Sequence, residues 1–275
     1  MNKENLNKTS GFAEAKGSEM TMTSLAKEVE IDICGSGTIL VNWGDGSPNE
    51  THNIILIDRT CDSYNLKHKY SNEDTHTITI TGFENTVLTE LYCDSNQLTD
   101  LDVSKNTTLE ILWCEENLLS KLNVSKNIAL TELCFRDNLL TSLDVSKNTA
   151  LKGLCCSDNK LMSLDVSNNT GLTWLYCNNI QLTVLDVSKN TALTELCCYD
   201  NQIINLDVGK NTALTRLVCF FNLLQSSALN NLFETLHDNA ISGYDGRCKE
   251  IEIYGNPGEE DCDIFIAEKK GWKVL

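Results

Sequence analysis

Apolar residues along the middle of this chain keep to a frame of 21 positions, LxxLxCxxNxLxxLDVSKNxx, rather than to the short period of a helix or a lone strand. The leading leucines are Leu88, Leu109, Leu130, Leu151, Leu172, Leu193 and Leu214, and LDVSKN or a near copy starts at Leu101, Leu122, Leu143, Leu164, Leu185 and Leu206. Self-similarity at a fixed spacing of this kind predicts a solenoid, each copy being one turn of coil stacked on the next. The two halves of a copy echo one another, since Leu88-Leu91-Cys93-Asn96 has the spacing of Leu98-Leu101-Val103-Asn106. Each turn therefore sends two apolar ridges to a shared interior. At a strand separation of about 4.8 Å, the seven copies make a body roughly 30 Å long.

Asparagine runs with the leucines. The second-half column is complete at Asn106, Asn127, Asn148, Asn169, Asn190 and Asn211, while the first-half column is interrupted by Ile180. Buried amides in register are expected to bond backbone groups at the corners of the coil, where no sheet ladder is available.

The pattern changes on either side of the repeats. Residues 1–22 show no period and are expected to be a flexible leader. Over 23–84, Val29-Ile31-Ile33 alternate with Glu30, Asp32 and Cys34, Thr38 to Trp43 follow, Gly44 to Pro48 form a turn cluster, and Thr75 to Thr81 alternate strictly. These predict a small β-sandwich. The repeats occupy 85–224. Residues 225–275 are expected to cap the stack, with Leu229, Leu232, Phe233 and Leu236 on one face of a helix that Ser226 or Ser227 caps. Lys249–Tyr254 then reads as a strand, Gly255–Gly258 as a turn and Asp261–Lys270 as a short helix before Trp272.

Composition narrows the function classes. With 39 acidic against 22 basic residues the net charge is -17, which repels phosphate backbones and anionic headgroups, so nucleic acid and direct membrane insertion are not expected. No apolar stretch approaches the roughly 20 residues of a membrane helix. The first 22 residues have no hydrophobic signal core, so the protein is expected either to be cytoplasmic or to have lost an export signal.

Thirteen cysteines raise the question of disulfides or metal. Six of them, Cys93, Cys114, Cys156, Cys177, Cys198 and Cys219, share a column whose seventh place is Phe135, and a column that accepts phenylalanine is apolar. Cysteine there is a small hydrophobe, and the parallel Cβ vectors of stacked neighbours disfavour the disulfide torsion, which predicts a ladder of reduced thiols. Cys134, Cys155 and Cys197 stand one residue earlier and are expected on the opposite, solvent-accessible face, where two thiols without a third ligand argue against a soft metal. Cys248 and Cys262 are candidates for pairing. Because the count is odd, one thiol at least stays free in a monomer, which suits a reducing or anaerobic setting.

The LDVSKN half hardly varies between copies, whereas the LxxLxC half varies at every outward position. Variation belongs on a recognition face. If that half forms the parallel sheet, its outward residues make one exposed strip. The candidate binding residues are Glu90, Tyr92, Asp94, Trp113, Glu115, Glu132, Arg136, Trp174, Tyr176, Glu195, Tyr199 and Arg216. Trp and Tyr dominate interface hot spots, which puts Tyr92, Trp113, Trp174, Tyr176 and Tyr199 foremost. The competing expectation is that such rings merely suit a strand surface and pack across neighbouring strands. The carboxylates between them have the chemistry to hold calcium or attract a basic partner, although an acidic solvated face is the default at this charge. Phe220-Phe221 is expected beneath the C-terminal cap. The column Asp102, Asp144, Asp165, Asp186 and Asp207, interrupted by Asn123, stacks like charges that Lys105, Lys126, Lys147, Lys189 and Lys210 offset.

Enzyme chemistry finds no constellation. His52, His68 and His76 precede the repeats and His237 follows them, so no histidine serves a nucleophile there. There is no phosphate-binding loop, HExxH or CxxC, and the carboxylates lie on an open face rather than in a cleft that shifts their acidity. The sequons at Asn106, Asn123 and Asn168 arise from the repeat.

Two resemblances add to this. TILVNWGDGS, followed by HKYSNEDTHTITITG, resembles the WGDG and HxY signatures of polycystic-kidney-disease-like β-sandwich domains, in which the tryptophan is a core residue. The resemblance implies packing for Trp43, and Asp45 reads as a turn former before a calcium ligand. The repeats resemble the leucine-rich repeat superfamily, within it the 21-residue, cysteine-ladder type of internalin-like proteins and of surface proteins of gut Bacteroidetes, and GNPGEEDCDIFIAEKKGW is similar to the cap that closes arrays in the latter group. The fold class implied is mainly β or α/β: a leucine-rich repeat solenoid with a parallel sheet, an N-terminal β-sandwich and a C-terminal α/β cap. The function implied is a non-enzymatic, cell-surface or secreted recognition module, without cofactor or metal, that binds a protein or surface polymer as a monomer. The alternative is a structural spacer presenting the N-terminal sandwich.

Overall fold

Before the repeats begin, alternating apolar and polar residues make extended strands. The computed structural model describes residues 18–55, 63–239 and 248–275, and it places these strands as β1 (Glu19–Ser24), β2 (Glu28–Asn42), β3 (Glu50–Ile54), β4 (Tyr64–Lys69) and β5 (His76–Gly82). β2 is long enough to serve two sheets. Its first half pairs antiparallel with β4, from Glu28↔Lys69 to Ile33↔Tyr64, and its second half pairs with β3 and β5. Val29, Ile31, Ile33, Ile39, Val41 and, just beyond the strand, Trp43 are buried with Ile78 and Ile80 of β5. The leader expected over 1–22 lies outside the described residues as far as 17, but Glu19–Met22 belong to β1. Met20 and Met22 alternate with polar neighbours and are buried, so that stretch is strand and not leader.

Each repeat then contributes one strand from its LxxLxC half, since leucine and cysteine point in while the residues between them point out. These are β6 (Val87–Tyr92), β8 (Ile111–Trp113), β9 (Glu132–Cys134), β10 (Gly153–Cys155), β11 (Trp174–Tyr176), β12 (Glu195–Cys197) and β13 (Arg216–Val218), with β7 (Leu98–Asp102) in the second half of the first coil. β6 and β8 to β13 stack parallel and in register, so that Tyr92, Trp113, Cys134, Cys155, Tyr176, Cys197 and Val218 stand in one file. After the helix α1 (Ser226–Thr235), β14 (Lys249–Glu252) extends the parallel sheet, and β15 (Trp272–Val274) follows the short α2 (Phe265–Glu268) to end it. At the other edge β2 pairs antiparallel with β6. β7 pairs with β1. The fold is therefore a mainly β, parallel-sheet solenoid whose repeat strands are continued at one end by β14 and β15 and at the other by β2, so that no repeat strand is itself an edge.

Inside the coils, Leu109, Leu112, Cys114, Leu119 and Val124 are buried and recur one coil later as Leu130, Leu133, Phe135, Leu140 and Val145. This interior is continuous with the core of the N-terminal strands. The six ladder thiols are free and buried, as the apolar column predicts. Burial of each aliphatic side chain contributes about 1.5–3 kcal/mol, so these repeated columns dominate stability.

The two asparagine columns differ in quality. Asn117 Oδ1 accepts from the Asn96 and Leu98 amides at 3.0 and 2.9 Å, while its Nδ2 donates to the carbonyls of Cys93, Cys114 and Glu115. Asn138, Asn159, Asn201 and Asn222 repeat the donations and accept from the Leu119, Leu140, Leu182 and Ile203 amides. In the second half, Asn127 donates to the carbonyls of Val103 and Asn106, and its Oδ1 is buried without a partner. The first-half column continues past both ends of the array. Asn96 bonds the Glu30 backbone of β2, accepting at 2.9 Å and donating at 2.7 Å. Asn256 accepts from Leu224 N and donates to Cys219 O. The Gly255–Gly258 turn thus carries a further rung of the ladder, and β14 is the strand of another coil.

Two expectations for the cap need correction. The residue before α1 is Gln225, whose side chain makes no capping bond, so neither Ser226 nor Ser227 is the N-cap; both lie inside the helix. Cys248 and Cys262 are free thiols that bond elsewhere, Cys248 to Glu250 and Cys262 to the Glu259 carbonyl. The aspartate column is also more local than charge pairing suggests. Asp102, Asp144, Asp165 and Asp186 each accept from the amide two residues on, at 2.9 Å, forming turns that hold the carboxyls below their ordinary range. Lys105, Lys147 and Lys189 lower Asp102, Asp144 and Asp186 further, as the smallest of the causes.

Candidate functional site

Register fixes the strip. Because each parallel strand is paired residue for residue, equivalent outward positions form straight columns about 4.8 Å apart. One column runs Glu90, Ile111, Glu132, Gly153, Trp174, Glu195, Arg216 and Glu250, and the next runs Tyr92, Trp113, Cys134, Cys155, Tyr176, Cys197, Val218 and Glu252. Just past the ladder cysteine lies a third, Asp94, Glu115, Arg136, Ser157, Asn178, Tyr199, Phe220 and Tyr254. A fourth follows where every coil bends: Ser95, Glu116, Asp137, Asp158, Asn179, Asp200 and Phe221 all have φ between 48 and 56°. All twelve sequence-derived candidates lie in the first three columns and are at least partly exposed.

Rings gather in three places. Tyr92 and Trp113 meet edge to face at 5.3 Å, and the Trp113 indole nitrogen is buried with no partner. Trp174 and Tyr176 lie 5.2 Å apart. The Trp174 ring lies across Gly153, in the space that a Cβ there would fill, so the glycine forms a notch that admits the indole. At the C-terminal end Tyr199, Phe220 and Tyr254 stack face to face at 4.3 and 4.2 Å, and Phe221 stands nearly perpendicular to Phe220 and Tyr254. Phe220 and Phe221 are not beneath the cap. Phe221 is 51% exposed, because the cap's strand runs beside these residues in the sheet instead of over them.

Most of the strip's carboxylates are already engaged. Tyr92 donates to Glu90 at 2.7 Å and Tyr176 to Glu195 at 2.9 Å. Burial and those carboxylates push both phenols above their ordinary range. Arg216 donates to Glu195 at 2.6 Å and to Glu252 at 3.0 Å, clasping three strands. Arg136 pairs with Asp158 at 3.0 Å. Asp94 accepts from the Glu115 amide at 2.6 Å, and burial, then the neighbouring Glu116, raises its carboxyl. Burial and Asp94 raise Glu115 likewise. Among the described residues no cluster of His, Cys, Asp or Glu suits a metal ion.

Cys134, Cys155 and Cys197 do face outward, but they are 5%, 5% and 8% exposed and not solvent-accessible. Each is a small side chain in a file that also holds Trp113, Tyr176 and Val218, and at strand spacing the larger neighbours overshadow it. Direction along the strand was legible; height above the sheet depends on what stands alongside.

Among the N-terminal candidates, Asp45 accepts from the Ser47 amide and pairs with His68 at 2.8 Å, and these partners hold its carboxyl far below the ordinary range. Trp43 stacks on His68 at 4.7 Å and its indole donates to Glu50. This group knits a turn to a strand. Residues of this face that the sequence did not mark as binding candidates are Gly153, Phe220, Phe221 and Tyr254. The signal for Tyr254 is present, since Ile251-Glu252-Ile253-Tyr254-Gly255-Asn256 keeps the LxCxxN spacing.

Solved structures share this architecture. The functional domain of InlJ from Listeria monocytogenes, which includes a cysteine ladder, is 32% identical over 69% of this chain and 50% of its own, with a TM-score of 0.54. A leucine-rich repeat protein of Leptospira interrogans matches at 21% identity and TM-score 0.57, over 68% of this chain and 48% of its own. Internalin C2 of Listeria monocytogenes matches at 18% identity and TM-score 0.57, over 68% of this chain and 80% of its own. These place the repeats in the leucine-rich repeat fold. This chain spans about half the length of the first two. No family profile and no curated protein matches the chain.

Proposed function

We propose that the open sheet face of this leucine-rich repeat solenoid is a recognition surface that binds a protein, or a polymer displayed on a cell, at or outside the bacterial surface. One observation carries the reading: the recurrent leucines, valines and asparagines of each coil are buried and the exposed Asp and Lys of LDVSKN hardly change, while the part that varies presents Tyr92, Trp113, Trp174 and Tyr176 partly exposed on one continuous face. Large rings held rigidly by neighbouring strands lose little freedom on binding. Residues 23–84 close one edge of the sheet, 85–224 display the face, 225–275 close the other edge, and the protein acts as a monomer. Catalysis finds no support in an open face where carboxylates are bonded to their neighbours. Surface location accords with the likeness to InlJ and with Cys34, which is disulfide-bonded and so suits an oxidising compartment better than a reducing one.

The spacer alternative fits less well, because β2 is hydrogen-bonded to β6 and the N-terminal strands are built into the recognition sheet. The test is a pull-down of host and bacterial surface extracts with the wild type and with the Trp113→Ala, Trp174→Ala double variant. Selective loss of bound species in the folded double variant supports this face. An identical bound set rejects it, and retention of that set by the described N-terminal strands alone favours the spacer.

A further inference from the structure

The C-terminal end of the strip differs from the rest. The third column passes from Asp94, Glu115 and Arg136 to Tyr199, Phe220 and Tyr254, and the fourth passes from Glu116, Asp137 and Asp200 to Phe221. Acidic groups lead into an aromatic step. Phe221 holds φ 48°, where the equivalent residues are Ser, Glu, Asp or Asn and the next coil has Gly255. A bulky ring is strained in that region and small polar residues suit it better; what holds the ring is its packing over Gly255 and edge-on against Phe220 and Tyr254. It is nonetheless half-exposed, beside Tyr254 at 39% and Leu223 at 46%.

We propose that this step and the acidic row beside it form a docking site for a cationic segment of a partner protein, its apolar side chain seated on Phe220, Phe221 and Tyr254 and its Lys or Arg side chains facing Asp200, Asp137 and Glu116. This rests on the reading of the sheet face as a recognition surface and names the partner's chemistry at one end of it. Charge selects the occupant. Among the described residues, Asp158 is the member of that row with a cationic partner, Arg136, and Glu116, Asp137 and Asp200 are exposed. Asp137 and Asp200 stand three coils apart, about 14 Å, which an extended chain at about 3.4 Å per residue spans in about four residues, an even number that keeps both cationic side chains on the same side. A second copy of this chain, at net charge -17, is repelled from the same row. A pyranose ring needs a free aromatic face, and Phe220, at the centre of the step, has both of its faces covered, by Tyr199 and Tyr254 at 4.3 and 4.2 Å.

The test uses the full chain and three labelled peptides followed by fluorescence anisotropy: one alternating lysine and phenylalanine, one with glutamate for lysine, and one with alanine for phenylalanine. The first peptide is expected to bind at least tenfold more tightly than the other two, with affinity falling as salt rises. Phe221→Asn places a residue at ease in the left-handed region, so it keeps the fold and is expected to weaken binding about tenfold, as is Asp137→Asn with Asp200→Asn. Equal binding of all three peptides, or wild-type binding by Phe221→Asn, overturns the proposal. So does a neutral oligosaccharide that competes, or self-association through this end in sedimentation. If Trp113→Ala with Trp174→Ala abolishes capture from surface extracts while Phe221→Asn leaves both capture and peptide binding intact, the broader face stands and this site falls.

Discussion

The indole of Trp174 occupies the place where Gly153, one strand away in register, would carry a Cβ. Every other repeat has a side chain at that position, so the flat lie of this ring depends on a missing one. Gly153→Ala is expected to lift the indole off the sheet, cost roughly 1–3 kcal/mol as overpacking, and change ligand capture more than it changes the fold. A shift in tryptophan emission with circular dichroism unchanged is the check. An unshifted spectrum would show that Trp174 already stands away from the sheet.

The first-half asparagine column predicts opposite outcomes for two substitutions. Asn138→Ala leaves the buried Leu119 N without an acceptor, while the Cys114 carbonyl keeps its bond from Asn117; one such orphan costs about 1–3 kcal/mol, so a loss of about 2 kcal/mol is expected. Ile180 is the one break in that column, and Ile180→Asn restores an amide where its neighbours already present the matching groups. It is expected to change stability by about 1 kcal/mol or less, where a polar residue in an ordinary core costs several. Chemical denaturation measures both.

Alkaline pH is expected to unfold the solenoid through its thiols. Burial pushes Cys219 from 9.0 up to about 12, and Cys93, Cys156, Cys177 and Cys198 lie well above their ordinary value. The folded chain then holds protons that the unfolded chain releases. Their contribution is complete below pH 9 and shrinks as pH rises from about 9 towards 12, at about 1.4 kcal/mol per thiol per pH unit. Melting temperature should be flat up to pH 8.5 and fall steeply above it, less steeply in a Cys177→Ala, Cys198→Ala variant. In native buffer at pH 8 a thiol reagent should leave the ladder untouched.

Arg216 joins Glu195 on one side to Glu252 on the other, tying the last repeats to the cap. The guanidinium is 45% exposed, so solvent screens it, and Arg216→Ala should cost about 1 kcal/mol or less, the loss shrinking in high salt. Its sharper effect is expected in hydrogen exchange of β13 and β14, which should quicken.

The coil was legible because repetition averages out the ambiguity of any one segment. A leucine that recurs seven times in frame is inward in all seven copies, and Phe135 in the cysteine column marked that column as apolar. Edges were less legible. Met20 and Met22 alternate only briefly, and β1 exists because β5 and β7 lie on either side of it. Asn256 fell in a Gly-Asn-Pro-Gly stretch whose turn chemistry masked its place in the ladder.

By itself, then, the sequence determined the solenoid, its apolar interior, the asparagine rungs and the face on which variation sits, since each follows from period and residue type along one chain. Only the tertiary structure decided that Cys134 and Cys155 are covered, that Trp174 rests in the notch of Gly153, and that Phe220 and Phe221 remain outside the cap. Those depend on which side chains become neighbours across strands more than twenty residues apart, and exposure is a property of neighbours rather than of a residue.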